Sequence, residues 1–163
     1  MTSYLTQLIT NKHLYLFVVS MLPIVELRGG MPIGAAMELP FWQVYIICVV
    51  GNLLPVPFLI KFSKAVLSFL AQKQILGNFF QRIIQKANAK ALTIGKYELL
   101  GLCLFVAIPL PGTGAWTGAL VATILQLRLI PSFLAIGLGV LICGLIMGVL
   151  SYSLIEILGL LVS

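Results

Sequence analysis

Aspartate is missing from this chain, histidine occurs once, and the acidic residues are only Glu26, Glu38, Glu98 and Glu156. These shortages remove most enzyme chemistry: no nucleophile and base stand at a workable spacing, and no His/Cys/Asp/Glu cluster suits a metal. The chain is read as a non-enzyme with no cofactor and no metal site. Cysteine is also sparse. Cys48, Cys103 and Cys143 are odd in number, far apart and set in apolar sequence, which argues against a disulfide framework and for packing roles. Charged residues make up 9% of the chain, against about 25% in soluble domains. What fills their place is apolar: 61% of residues are hydrophobic and the mean hydropathy is +1.14, which defines an integral membrane protein.

The net charge of +6 is unevenly placed. Lys61, Lys64, Lys73, Arg82, Lys86, Lys90 and Lys96 fall in one stretch that contains no acid before Glu98. No aromatic-basic module accompanies them, so nucleic acid is not expected as a partner. The positive-inside bias instead makes residues 61–98 cytoplasmic. Within that stretch Ile75, Phe79 and Ile83 recur at four-residue spacing beside Leu76, Phe80 and Ile84, as expected for one or two amphipathic helices lying on membrane lipid.

Segment lengths give the architecture. Residues 14–25 would make about 18 Å of helix against a hydrocarbon core of about 30 Å. Lys12 and this run resemble a cleavable signal, but Glu26, Arg28 and two prolines precede the first small-residue cleavage site, so a membrane arm is the better reading. Pro23, Gly29, Gly30 and Pro32 then interrupt helix, and residues 31–37 form a second short arm. This is the pattern of a re-entrant hairpin, with the chain expected to unwind at Gly29-Gly30. Residues 41–60 are long enough to span, with Trp42 and Tyr45 as interfacial anchors. The plan repeats: residues 99–108, a break at Pro109-Leu110-Pro111-Gly112-Thr113-Gly114, an arm over 115–127, and a span from 129 onward. Aligning Gly30 with Gly114 and Gly34 with Gly118 relates the halves, with Gly51 opposite Gly139. The expected fold is an all-α membrane domain of two inverted repeats, 13–60 and 99–163, each a re-entrant hairpin followed by a transmembrane helix, joined by the cytoplasmic connector 61–98. Two broken tips then meet near the midplane, as in many secondary transporters.

The segment Glu26-Leu27-Arg28-Gly29-Gly30 with Pro32 and Gly34, and the segment Pro109-Leu110-Pro111-Gly112-Thr113-Gly114-Ala115-Trp116-Thr117-Gly118, resemble the two signature segments of the small multidrug export proteins, relatives of the DedA superfamily. The likeness runs from about Pro23 to Ser151. It implies opposed re-entrant hairpins, a multi-pass protein of a bacterial or archaeal plasma membrane, and transport or lipid-carrier translocation. DedA relatives place arginines in the second hairpin, whereas here none precedes Arg128 at its exit, so no arginine site is assigned there.

Ionisable residues at bilayer depth persist mainly where a pathway or a partner needs them. Glu26 is therefore the candidate proton carrier and Arg28 the candidate anion contact, the alternative being that both simply lock the fold. Gly29, Gly30, Pro109, Pro111, Gly112, Thr113, Gly114 and Thr117 are expected to present unwound backbone and hydroxyls to a substrate, and Trp116 to wall the cavity. Asn52, mid-span, satisfies unwound backbone or touches substrate. Gly144 and Gly148 suit close helix packing or a homodimer seam. His13, Glu38 and Glu156 are edge residues. The leading function is proton-coupled movement of an amphipathic or anionic substrate. Flipping or scrambling of a polyprenyl phosphate or phospholipid comes second, and an intramembrane enzyme a distant third.

Overall fold

The computed structural model describes residues 11–72 and 96–162. Their regular structure is helical throughout: α1 (Lys12–Met21), α2 (Glu26–Ala36), α3 (Phe41–Leu53), α4 (Val56–Gln72), α5 (Lys96–Ala107), α6 (Ala115–Ile124) and α7 (Leu129–Val162). The amphipathic pattern of residues 75–84 lies outside the described residues. Helices α1, α2, α5 and α6 have 10 to 12 residues, about 15–18 Å, and cannot cross a bilayer singly. Two runs can: Phe41–Ser63, made by α3 with the start of α4, and Leu129–Ile157 in α7.

Helix α1 opens on Asn11, whose side chain accepts from the Leu14 amide, and closes before Pro23. Lys12 Nζ then donates to Met37 O at 3.0 Å, so the start of α1 lies beside the end of α2 and the two form an antiparallel pair. The break between them differs from the sequence expectation. It falls at residues 22–25, and α2 runs unbroken through Gly29, Gly30 and Pro32. Pro32 removes one ladder bond, that to the Arg28 carbonyl, and the helix tolerates it. The glycine pair serves packing instead of unwinding. A Cβ on Gly30 would stand 2.5 Å from Ser20 Oγ on α1 and 2.7 Å from Cys48 Sγ on α3.

The first span also departs from a single straight helix. Pro55 separates α3 from α4, although Leu54 N still reaches Val50 O at 3.0 Å and Leu59 N reaches Pro55 O at 2.9 Å. The helix continues past Lys61 to Gln72.

Matched features recur in the two halves at one constant sequence spacing. After α2, Glu38 adopts a left-handed φ of 59°, Glu38 N bonds Ala35 O and Leu39 N bonds Gly34 O. After α6, Gln126 has φ 55°, Gln126 N bonds Thr123 O and Leu127 N bonds Ala122 O. Both are Schellman closures without glycine. At the same spacing, Gly51 lets α3 approach α1, its Cβ position being 2.8 Å from Phe17 O, and Gly139 lets α7 approach α5, 2.6 Å from Cys103 O. Gly30 is thereby paired with Gly118, whose neighbours Val106 and Ile136 lie on α5 and α7. The alignment of Gly30 with Gly114 was displaced by one helical turn, because the break in the second half is longer and the closing turns, which fix the register, carry no glycine signal.

The exterior is apolar. Trp42, Ile46, Val50, Leu54, Phe58 and Phe62 form an exposed ribbon at four-residue spacing along α3 and α4, and Ile130, Leu134 and Leu138 do so on α7. A soluble monomer rarely exposes such a surface, whereas lipid covers it at no cost. Buried hydroxyls are satisfied within their own helices: Ser20, Thr123, Ser132 and Ser151 each donate to the carbonyl four residues earlier, at 2.6–2.9 Å.

Gly144 and Gly148 are covered inside the chain and form no outward seam. A Cβ on Gly144 would meet Tyr45 Cε2 at 2.8 Å, and one on Gly148 would meet Phe41 Cε2 at 2.4 Å and Met31 Cε at 2.7 Å. Gly148→Leu should therefore force α7 off α2 and α3 and destabilise by about 1–3 kcal/mol. Gly137→Leu, at a position where no atom lies within 4 Å, should stay within about 0.5 kcal/mol of wild type. Thermal unfolding of both variants in mild detergent checks the contrast.

Candidate functional site

The break between α1 and α2 meets the break between α5 and α6, and charged residues of the first complete the helix ends of the second. A helix interrupted in an apolar medium leaves its last carbonyls and first amides without partners. Arg28, in the first turn of α2, supplies the carbonyls. The two hydrogens of its Nη2 are shared among Thr113 O and Thr113 Oγ1, each at 2.8 Å, Ile108 O at 3.1 Å and Val106 O at 3.4 Å, while Nη1 donates to Leu110 O. A planar guanidinium fans donors across such a turn in a way that a lysine cannot. The cation also sits at the negative end of α5.

Glu26 supplies the amides. It begins α2 with a φ of 51°, a left-handed conformation that costs an L-residue about 1–2 kcal/mol. That twist sends the side chain to the start of α6, where Oε1 accepts from Trp116 N at 3.3 Å. The carboxylate lies in the space beside Gly114, the residue before α6: a Cβ there would fall 1.6 Å from Glu26 Oε2. A negative group at a helix start is favoured by the aligned peptide dipoles. Glu26 is buried, at 7% exposure. Arg28, two residues on, thus goes to the end of one helix and Glu26 to the start of the next, so the two charges act on opposite sides of the break.

The tie is reciprocal. Trp116 Nε1 donates to Met21 O, the last carbonyl of α1, at 3.1 Å. At the constant spacing of the two halves, Trp116 is the counterpart of Arg28 and Gly114 the counterpart of Glu26. Residues at matched positions therefore each close the first short helix of the other half, one by a guanidinium and one by an indole. The sequence left Arg28 either as an anion contact, as the ion partner of Glu26 or as a tie to the opposite hairpin, and Trp116 as a cavity wall; which atoms are joined was hidden, since bonds between residues some eighty positions apart leave no local signal.

A cavity of about 510 Å³ opens along this seam, with Pro23, Ile24, Val25, Glu26, Arg28 and Gly29 on one side and Pro111, Gly112, Gly114 and Thr117 on the other. Gly112 takes a φ of 85° and meets nothing within 4 Å, so it is a true turn glycine. Thr113 Oγ1 lies within reach of Ile108 O and Leu110 O and braces the turn, and Thr117 Oγ1 donates to Gly114 O at 3.0 Å. Gly30 stands apart from the cavity, buried under Ser20 and Cys48. Pro109 is half-buried in the turn. Asn52 borders a second, far smaller void with Glu26 and Arg28. The half-helix start that the sequence offered to a substrate anion is held by the protein's own carboxylate. Outside the site, His13 Nε2 is 3.1 Å from Gln43 Oε1 at the exposed end of α1, and Glu38 and Glu156 are exposed.

Short paired helices, two helices long and apolar enough to cross a membrane, and a charged seam where helix breaks meet describe an all-helical protein suited to a membrane. The model of the family described as "Putative small multi-drug export protein" matches residues 26–146, and the chain belongs to that family. The matched region begins at Glu26 and includes Arg28, Gly114 and Trp116. No curated protein and no solved structure matches the chain.

Gly114 and Glu26 should be energetically coupled. Gly114→Ala should destabilise the protein by about 2 kcal/mol or more, since its methyl displaces the carboxylate from the helix start. In a Glu26→Ala background the same change should cost less than about 0.5 kcal/mol. A double-mutant cycle read by unfolding in detergent measures the difference. Arg28→Lys should also lower stability, by about 2 kcal/mol, because an ammonium cannot serve the carbonyls of Ile108, Leu110 and Thr113 together.

Proposed function

We propose that the protein is a proton-coupled secondary transporter whose site is the seam between two re-entrant hairpins, α1–α2 and α5–α6, carried by two inverted repeats. The observation that carries this reading is the cavity of about 510 Å³ walled by both breaks, with Glu26 and Arg28 in its lining. A cavity of that size suits a small molecule. Support for the repeat comes from the matched closing turns at Glu38 and Gln126 and the matched glycines Gly51 and Gly139. Short helix pairs followed by a full span, in two copies, give the half-depth breaks that discontinuous transporter helices use.

The coupling follows from competition for one helix start. The α6 amides favour an anion, and Glu26 provides it when ionised. Protonation of Glu26 removes that charge and leaves the α6 start, beside Thr117 and Gly112, able to accept the anionic group of a substrate. Arg28 remains bound to the α5 carbonyls and adds positive potential to the cavity wall. Ile24 and Leu110, both exposed at the breaks, give the cavity an apolar lip suited to an amphipathic molecule. The same lip favours a second reading, passage of a lipid-phosphate head group with its tail left in the bilayer. In this reading the connector 61–98 faces the cytoplasm of a bacterial or archaeal cell and the chain acts as one membrane domain.

In proteoliposomes, Glu26→Gln should retain folded protein, since the amide oxygen still accepts from Trp116 N, but should lower pH-gradient-driven transport of an amphipathic anion at least tenfold. Undiminished gradient-driven transport by the variant contradicts the proton-carrier role. Lipid movement that needs no gradient and is indifferent to Glu26→Gln selects the lipid reading.

A further inference from the structure

The small void beside the main cavity is bounded by Glu26, Arg28, Asn52, Val106, Val140 and Cys143, among others, and measures about 10 Å³, room for one water molecule and no more. Asn52 is 3% exposed, and its Oδ1 has no hydrogen-bond partner among the described residues. An orphaned buried carbonyl carries a desolvation penalty that natural proteins usually relieve with an internal water. The walls are suited to one. Glu26 offers carboxylate oxygens, Arg28 offers N–H groups, and both share the void with Asn52.

The charged and amide side chains at the void, Glu26, Arg28 and Asn52, come from the first half, and the second half adds only the Cys143 thiol. Asn52 of α3 has Val140 of α7 as its counterpart at the constant spacing, and Leu27 has Ala115; all four line the void. An aliphatic side chain thus fits the position structurally in the second half, which leaves packing alone as a poor reason for an asparagine in the first. The titratable groups facing the void are Glu26 and Arg28 from α2 and Cys143 from α7; α3, α5 and α6 contribute Asn52, Val106, Gly114 and Ala115, which do not titrate.

We propose that this void holds a single internal water that donates one hydrogen to Asn52 Oδ1 and the other to a Glu26 oxygen, so that Asn52 is a positioning residue for the proton that Glu26 carries. When Glu26 is ionised, the water gives it a charge-assisted bond. When Glu26 is protonated, its new O–H donates to the water oxygen, and the bond to Asn52 persists. The water joins the outer cavity to the protein interior through Glu26, which borders both. The relay part rests on Glu26 being the proton carrier; the water site does not.

The test uses the full chain in lipid nanodiscs, at a resolution that shows internal waters, together with the pH dependence of transport in proteoliposomes. One density peak within hydrogen-bond distance of both Asn52 Oδ1 and a Glu26 oxygen is expected. In Asn52→Leu the peak should vanish. The midpoint of the transport pH profile should then rise by roughly half to one unit, because a dry void withdraws a bond that the charged carboxylate uses more strongly than the neutral acid. Asn52→Ser, which keeps a hydroxyl for the water, should retain the peak and bring the midpoint back toward wild type. An empty void in the wild type overturns the proposal, even where Asn52→Leu fails to fold. An unchanged midpoint in folded Asn52→Leu overturns the positioning role. If the peak is present but Glu26→Gln still transports against the gradient, the proton-carrier reading falls while the water site stands.

Discussion

Interrupting a helix inside an apolar phase is costly unless its exposed peptide groups find partners, and this protein finds them across the halves of its own chain. Arg28 closes the carbonyl end at Val106, Ile108, Leu110 and Thr113, Glu26 closes the amide end at Trp116, and Trp116 returns the favour at Met21. Each charge meets the end of the helix dipole that it stabilises. The same contacts that hold the two helix pairs together also create the cavity between them, so the fold and the candidate site rest on one set of bonds.

Positions related by the constant sequence spacing carry different chemistry. Glu26, Arg28 and Asn52 have Gly114, Trp116 and Val140 as their counterparts, and the glycine is required because the glutamate occupies the space of its side chain. The Glu26 carboxylate can lie at the seam only because the facing position, Gly114, carries no side chain. A carboxylate at both positions would put two like charges in contact at the same helix starts, which a low-dielectric setting penalises heavily. The first half supplies charge, and the second supplies turn geometry through Gly112 and Thr113.

Much of this arrangement was legible in the sequence. Apolar composition, arms too short to span and clustered Gly and Pro gave the order of elements and pointed to Glu26 and Arg28 as the residues out of place in lipid. Three details were hidden. Gly29, Gly30 and Pro32 looked like a break because they disfavour helix locally, yet close packing of α2 on α1 and α3 needs the bare Gly30 surface and overrides propensity. The alignment of Gly30 with Gly114 differs by one turn from the spacing shared by the Schellman closures at Glu38 and Gln126, residues without the usual glycine signature. Gly144 and Gly148 suggested close helix packing or an outward seam, and tertiary placement decides for packing against Tyr45, Phe41 and Met31 of the same chain.

In the proposed arrangement both breaks lie together deep in the bilayer, and a depth measurement addresses this directly. Single spin labels at the exposed positions Ile24 and Leu110, in a background with the three native cysteines replaced, can be read in lipid by their relative accessibility to oxygen and to a water-soluble relaxant. The two labels should report the same depth, near the bilayer midplane, and a doubly labelled protein should show a short distance between them. Labels at opposite interfaces, or at depths separated by most of the hydrocarbon thickness, would contradict it.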